Sequence, residues 1–103
     1  MSASQLTTQL SADGARLTIR PRGHFGFTVY DKFREAYQLG RPGTRYVVDL
    51  ADVSSMDSSA LGMLLVLRDR EGGQNDSIEI VHCSAEVRKI LQIANFERLF
   101  SIS

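Results

Sequence analysis

The sequence predicts an α/β fold: one domain, residues 1–103, with a mixed β-sheet and helices packed against it in the order β-β-α-β-α-β-α-β. Three observations carry this expectation. Ala15 to Arg20 alternate apolar and polar with period two, as a half-buried strand does. Val29, Phe33, Ala36 and Tyr37 recur at the spacing of one helix face, and so do Val87, Ile90, Leu91 and Ala94. Tyr46 to Leu50 is a short, nearly continuous apolar run, the pattern of a central strand covered on both sides.

Taken in order, residues 5 to 10 are Thr-rich and weakly alternating and read as a short edge strand. Asp13-Gly14 signals a hairpin, because both residues tolerate the positive φ of a type I′ turn. Pro21 ends the second strand, and the stretch from Arg22 to Phe27 reads as a loop bent at two glycines. Thr28 suits the N-cap of a first helix, with Asp31 completing an imperfect capping box, and the helix runs to about Leu39 before Gly40 and Pro42-Gly43 stop it. A second helix starts near Asp57-Ser58 and runs to about Glu71, where Gly72-Gly73 breaks it. Ile78 to Cys83 is the next strand, Ser84 caps a third helix that ends near Asn95, and Leu99 to Ile102 adds a last short strand.

Composition narrows the function. Lys+Arg and Asp+Glu each total 12, for a formal net charge of +0, so the basic stripe of a nucleic-acid binder is missing. Cys83 is the only cysteine and fits a reducing compartment such as the cytoplasm. The polar segment Met1 to Leu10 has no apolar signal-peptide core. Met63 to Leu67, the longest apolar run, falls far short of the ~20 residues that span a bilayer. The expected molecule is a cytoplasmic domain without membrane or nucleic-acid contact.

The segment Met56-Asp57-Ser58-Ser59-Ala60-Leu61-Gly62 stands where a strand hands over to a helix, the end of an α/β sheet at which sites usually lie. Ser58 there has two readings. As an N-cap it satisfies a backbone donor, the default for a serine at a helix start. As a phosphorylation site it would gain about −1.5 to −2 charge, and the helix dipole would offset roughly 0.3–1 kcal/mol of the cost of holding that anion. On a helical wheel Leu61, Leu64 and Leu65 fall on the side expected to face the sheet. Ser59, Met63, Val66 and Arg70 fall opposite, as an exposed recognition ridge next to the serines. Arg68 lies awkwardly within the supposed core side, and the alternative is that another element covers the ridge or that the phase is one residue off.

Val47-Val48-Asp49-Leu50, then Asp52-Val53, then Met56 to Gly62 closely resemble the STAS domain of bacterial anti-sigma factor antagonists, and Ser84 to Leu91 is similar to that family's third helix. The resemblance implies a non-enzymatic module without cofactor. It implies that a partner anti-sigma factor, often a serine kinase, phosphorylates Ser58, that the unmodified protein binds that partner and releases a sigma factor, and that a metal-dependent serine phosphatase restores binding. Asp57 would flank the acceptor, and Ser59 to Met63 would supply docking surface along with Val66. Many members carry Gly-Glu-Leu-Asp after strand two where this chain has Gly23-His24-Phe25-Gly26, which suggests a branch with a different partner.

Other candidates read more plainly. His24 is an exposed loop residue that could contact a partner. His82 and Cys83, adjacent on a strand, would point to opposite faces and form no dyad. Asp49, Asp52 and Asp57 could be drawn as a magnesium cluster, but acids near turns usually cap and solvate, and no metal is expected. A STAS subunit of a larger assembly, such as a lipid-transport ATPase complex or a stress-signalling scaffold, is the alternative function. An enzyme with Ser58 as nucleophile would need a base, and no histidine stands near it in sequence.

Overall fold

The computed structural model describes residues 6–71 and 78–103. In chain order the elements are β1 (Leu6–Leu10), β2 (Arg16–Pro21), β3 (Gly23–Phe25), α1 (Tyr30–Tyr37), β4 (Arg45–Asp49), β5 (Val53–Met56), α2 (Ser58–Arg70), β6 (Ile78–Val81), α3 (Ala85–Ile93) and β7 (Ser101–Ile102). Five strands form one mixed sheet in the order β1-β2-β4-β6-β7. β1 pairs antiparallel with β2, and the other neighbours are parallel. The predicted order of five strands and three helices is therefore present. The sequence reading missed β3 and β5, which pair with each other as a separate two-stranded sheet.

From β2 onward every crossover steps the same way along the sheet. Right-handed crossovers that keep one direction put their helices on one face. Burial agrees: Leu17, Ile19, Tyr46, Val48, Ile78 and Ile80 are buried in one core with Phe33, Leu64, Leu67, Val87 and Leu91 of the helices. On the other face Thr18, Val47 and Val81 are half-buried, and Arg20 and Glu79 are exposed. β4 is central, but cover on both sides is not what its apolar run reports. Val47 lies on a largely open face.

Local details also differ from expectation. The β1–β2 connection is longer than a type I′ turn: Ser11 N–H bonds Arg16 C=O at 2.9 Å, and Gly14 alone takes positive φ, at 72°. The Asp13 carboxylate stabilises it by accepting from Ser11 Oγ at 2.7 Å and Ala15 N–H at 3.0 Å. Thr28 does not cap α1; it lies inside a 3₁₀ turn, Phe27–Val29, that leads into the helix. The predicted face holds, with Val29, Phe33, Ala36 and Tyr37 all buried. α2 ends at Arg70, and Gly72-Gly73 lies outside the described residues. Ser84 caps α3 through Oγ, which accepts from Val87 N–H at 3.2 Å, and Asn95 ends it in the left-handed region at φ 60°.

The ends of β2, β4 and β6 are tied by Asp49, one of the few buried polar side chains. Its Oδ2 accepts from Arg20 Nε (3.2 Å) and Nη2 (2.9 Å), and its Oδ1 accepts from Ala51 N–H (3.0 Å) and His82 Nδ1 (3.0 Å). Burial pushes this carboxyl up, but the Ala51 amide, His82 and Arg20 together hold it below the usual carboxylate range. His82 and Cys83 were expected on a strand, but neither is a strand residue. β6 stops at Val81, and His82 turns to φ 59°, a conformation uncommon outside glycine, which brings its ring to the buried carboxylate.

Candidate functional site

The small β3–β5 sheet builds the site. Its parallel register pairs His24 with Ser55 and Phe25 with Met56, after an irregularity between Gly23 and His24. Phe25, Val53 and Met56 point into the core, which leaves His24 and Ser55 outside. The segment after β2 is thus held against the start of α2. His24 is a strand residue in this sheet and not part of a free loop.

Asp57, not Ser58, is the N-cap of α2. Its backbone is extended (φ −122°, ψ −176°), and its Oδ1 accepts from Ser59 N–H at 2.9 Å and Ala60 N–H at 3.3 Å. Its Oδ2 lies 3.0 Å from His24 Nε2, while His24 Nδ1 lies 2.7 Å from Ser55 Oγ. The hydrogen bond from His24, aided by the Ala60 and Ser59 amides, holds the Asp57 carboxyl below its ordinary range against the upward push of partial desolvation. With an aspartate capping the helix, Ser58 becomes its first residue, and it is exposed.

Gly26 closes this arrangement from the side. A Cβ built there would collide with Asp57 Oδ2 and come within 2.7 Å of His24 Nε2. Beyond it, Phe27 (72% exposed) and Tyr30 (39%) stack with ring centroids 6.5 Å apart.

The phase of α2 differs from the wheel by about one residue. The buried stripe is Ala60, Met63, Leu64 and Leu67, spaced i, i+3, i+4, i+7. Met63 is only 3% exposed, so it is core rather than recognition ridge, whereas Leu65 (41%) and Val66 (47%) face out. Ser59 is half-buried, and Gly62 is exposed with open space around its Cα. Ser58, Gly62, Leu65 and Val66 thus share the outer side of the helix. Arg68, the misfit on the wheel, is half-buried, with Nε donating to Leu99 C=O at 3.0 Å.

Of the residues singled out in the sequence, His24 and Asp57 meet directly, Ser58 and Val66 share an exposed face, and Met63 is withdrawn from it. Asp49 and Asp57 are each committed to their own donors, and among the described residues no group of three or more His, Cys, Asp or Glu is placed to hold a metal ion. Ser55 escaped the sequence reading, because its partner His24 is 31 residues away and only the unforeseen β3–β5 pairing joins them.

A domain of this architecture, with an aspartate-capped helix start presenting a free serine, matches the family described as "Mlab, STAS domain" over residues 8–101. The chain belongs to the STAS domain family. It is 54% identical over 99 residues to a STAS-domain containing protein of Pseudomonas aeruginosa (strain UCBPP-PA14), covering 95% of this chain and 98% of that one. The fold is similar to that of an anti-sigma factor antagonist from Mycobacterium paratuberculosis (TM-score 0.74, 16% identity, 99% of this chain and 89% of that one). It is also similar to the anti-sigma factor antagonist SpoIIAA in its unphosphorylated form (TM-score 0.67, 18% identity, 95% and 86%). Among the described residues no helix is long and apolar enough to cross a membrane.

Proposed function

We propose that this protein is an anti-sigma factor antagonist: a cytoplasmic, non-enzymatic binding module that captures an anti-sigma factor and is switched off by phosphorylation of Ser58. The observation that carries the reading is the division of labour at the start of α2. Asp57 takes the cap, so the Ser58 hydroxyl is exposed at the head of a helix face that also bears Gly62, Leu65 and Val66. Apolar groups on an outer helix face suit docking. A phosphate one residue from the ionised Asp57 would load that face with like charge while the helix dipole keeps the fold tolerant of it. His24 and Asp57 flank the same surface. A kinase activity in the partner would add the phosphate, and a metal-dependent serine phosphatase would remove it.

Incubation with the cognate anti-sigma factor and ATP, followed by mapping of the phosphosite, tests the assignment. Phosphate on Ser58 is expected, and phosphate elsewhere with Ser58 untouched refutes it. In binding assays Ser58→Asp should weaken the complex and Ser58→Ala should keep it; equal affinities would remove the switch.

A second reading is favoured by the description of the matching family, which names Mlab rather than an antagonist. In it the chain is the STAS subunit of a larger assembly, such as a lipid-transport ATPase complex, and the same α2 face is a permanent contact with Ser58 unmodified. Co-purification from the native cell separates the two: a kinase-type anti-sigma factor supports the first, transporter subunits the second.

A further inference from the structure

The site holds a second hydroxyl with its own chemistry. Ser55 Oγ, His24 and Asp57 form a continuous relay: 2.7 Å from Ser55 Oγ to His24 Nδ1, and 3.0 Å from His24 Nε2 to Asp57 Oδ2. An ionised carboxylate only accepts, so Nε2 carries the hydrogen. In the neutral ring that leaves the Nδ1 lone pair facing the Ser55 hydroxyl. A hydroxyl on a base that is itself oriented by an acid is the arrangement that activates serine nucleophiles.

Three features set the relay. The β3–β5 register sets His24 opposite Ser55. Asp57 cannot swing away without releasing the Ser59 and Ala60 amides. Gly26 lies against the Asp57–His24 contact, where an added Cβ would force the ends of both side chains to shift. The relay is also open: the His24 and Asp57 side chains are 50% and 42% exposed, and Ser55 is exposed. An open relay suits a residue modified by a donor presented from outside, rather than an enclosed catalytic cleft.

We propose that Ser55 is a second modification site, a phosphoryl acceptor activated by His24 and Asp57 and chemically distinct from Ser58. In the step, Ser55 Oγ forms a bond to the phosphorus of a donor, the bond from phosphorus to the leaving group breaks, and the leaving group departs with its electron pair. The Oγ proton passes to His24 Nδ1, and the resulting imidazolium is held by the Asp57 carboxylate. The inference does not rest on phosphorylation of Ser58.

The test uses the full chain and a fluorophosphonate as a phosphorus electrophile that stands in for the phosphoryl donor, placing a phosphonyl group on the serine with fluoride as leaving group, and locates the label by peptide mass spectrometry. Label should accumulate on Ser55 ahead of its exposed neighbour Ser54, an internal reference that needs no variant. His24→Gln keeps an N–H for Asp57 but has no basic nitrogen, and should slow Ser55 labelling by about 100-fold, the lower end of general-base effects. Label spread evenly over Ser54, Ser55, Ser58 and Ser59, absence of label on Ser55, or an unchanged rate in His24→Gln would each overturn the proposal. Because the label is read residue by residue, the result is independent of what becomes of Ser58.

Discussion

Arg20 grips one oxygen of Asp49 twice, through Nε at 3.2 Å and Nη2 at 2.9 Å, one step beyond the Ile19–Val48 pair of the β2–β4 ladder. The Asp49 side chain is 5% exposed and that of Arg20 is 48% exposed, so the two are not equivalent. Removing the arginine leaves a carboxylate still served by Ala51 and His82. Removing the charge on Asp49 leaves several donors facing a poorer acceptor. Asp49→Asn should cost about 2 kcal/mol, a fall in Tm of roughly 10 °C, and Arg20→Ala should cost less. Thermal unfolding of the two variants checks the order.

The same carboxylate sets an acid limit. Asp49 and Asp57 both have folded-state carboxyls below the ordinary range. The unfolded chain therefore binds these protons first as pH falls. Their stabilisation is complete above the ordinary carboxylate pKa of about 4, and it is lost as pH falls through the lower folded values. Denaturant midpoints from pH 7 to pH 3 should decline, and Asp49→Asn should flatten the decline.

Asp57 governs the first turn of α2. Asp57→Ala should speed hydrogen exchange at the Ser59 and Ala60 amides, whereas Asp57→Asn keeps a capping oxygen and should change them little. Equal exchange in both variants would mean that the cap contributes nothing.

Met63 and Val66 separate packing from recognition. Met63→Ala empties a core position and should cost about 2–4 kcal/mol. Val66→Ala on the exposed face should stay within about 0.5 kcal/mol yet weaken partner binding under the proposed function. Chemical denaturation together with a binding isotherm distinguishes the two effects.

Much of the fold was legible because it rests on local periodicity. The faces of α1 and α3, the Ser84 cap, the Asn95 stop and the central place of β4 follow from residues close together in sequence. β3 and β5 were not legible. Each is three or four residues long, Ser54 and Ser55 lack strand character, and what makes them strands is a pairing across about thirty positions. The misplaced phase of α2 is a different case. Leucines at 61, 64 and 65 drew attention from the set Ala60, Met63, Leu64 and Leu67, which follows the core spacing better and was available in the sequence. The site was half legible: the Asp57-Ser58 junction could be found, but the histidine that reaches it arrives by tertiary contact.

The close packing at Gly26 has a consequence for how this lineage can vary. A side chain at 26 would push apart the ends of Asp57 and His24, so their contact depends on the bare glycine. Positions 24 and 26 are therefore linked. Across related chains they should covary, and a histidine at the first should travel with a glycine at the second.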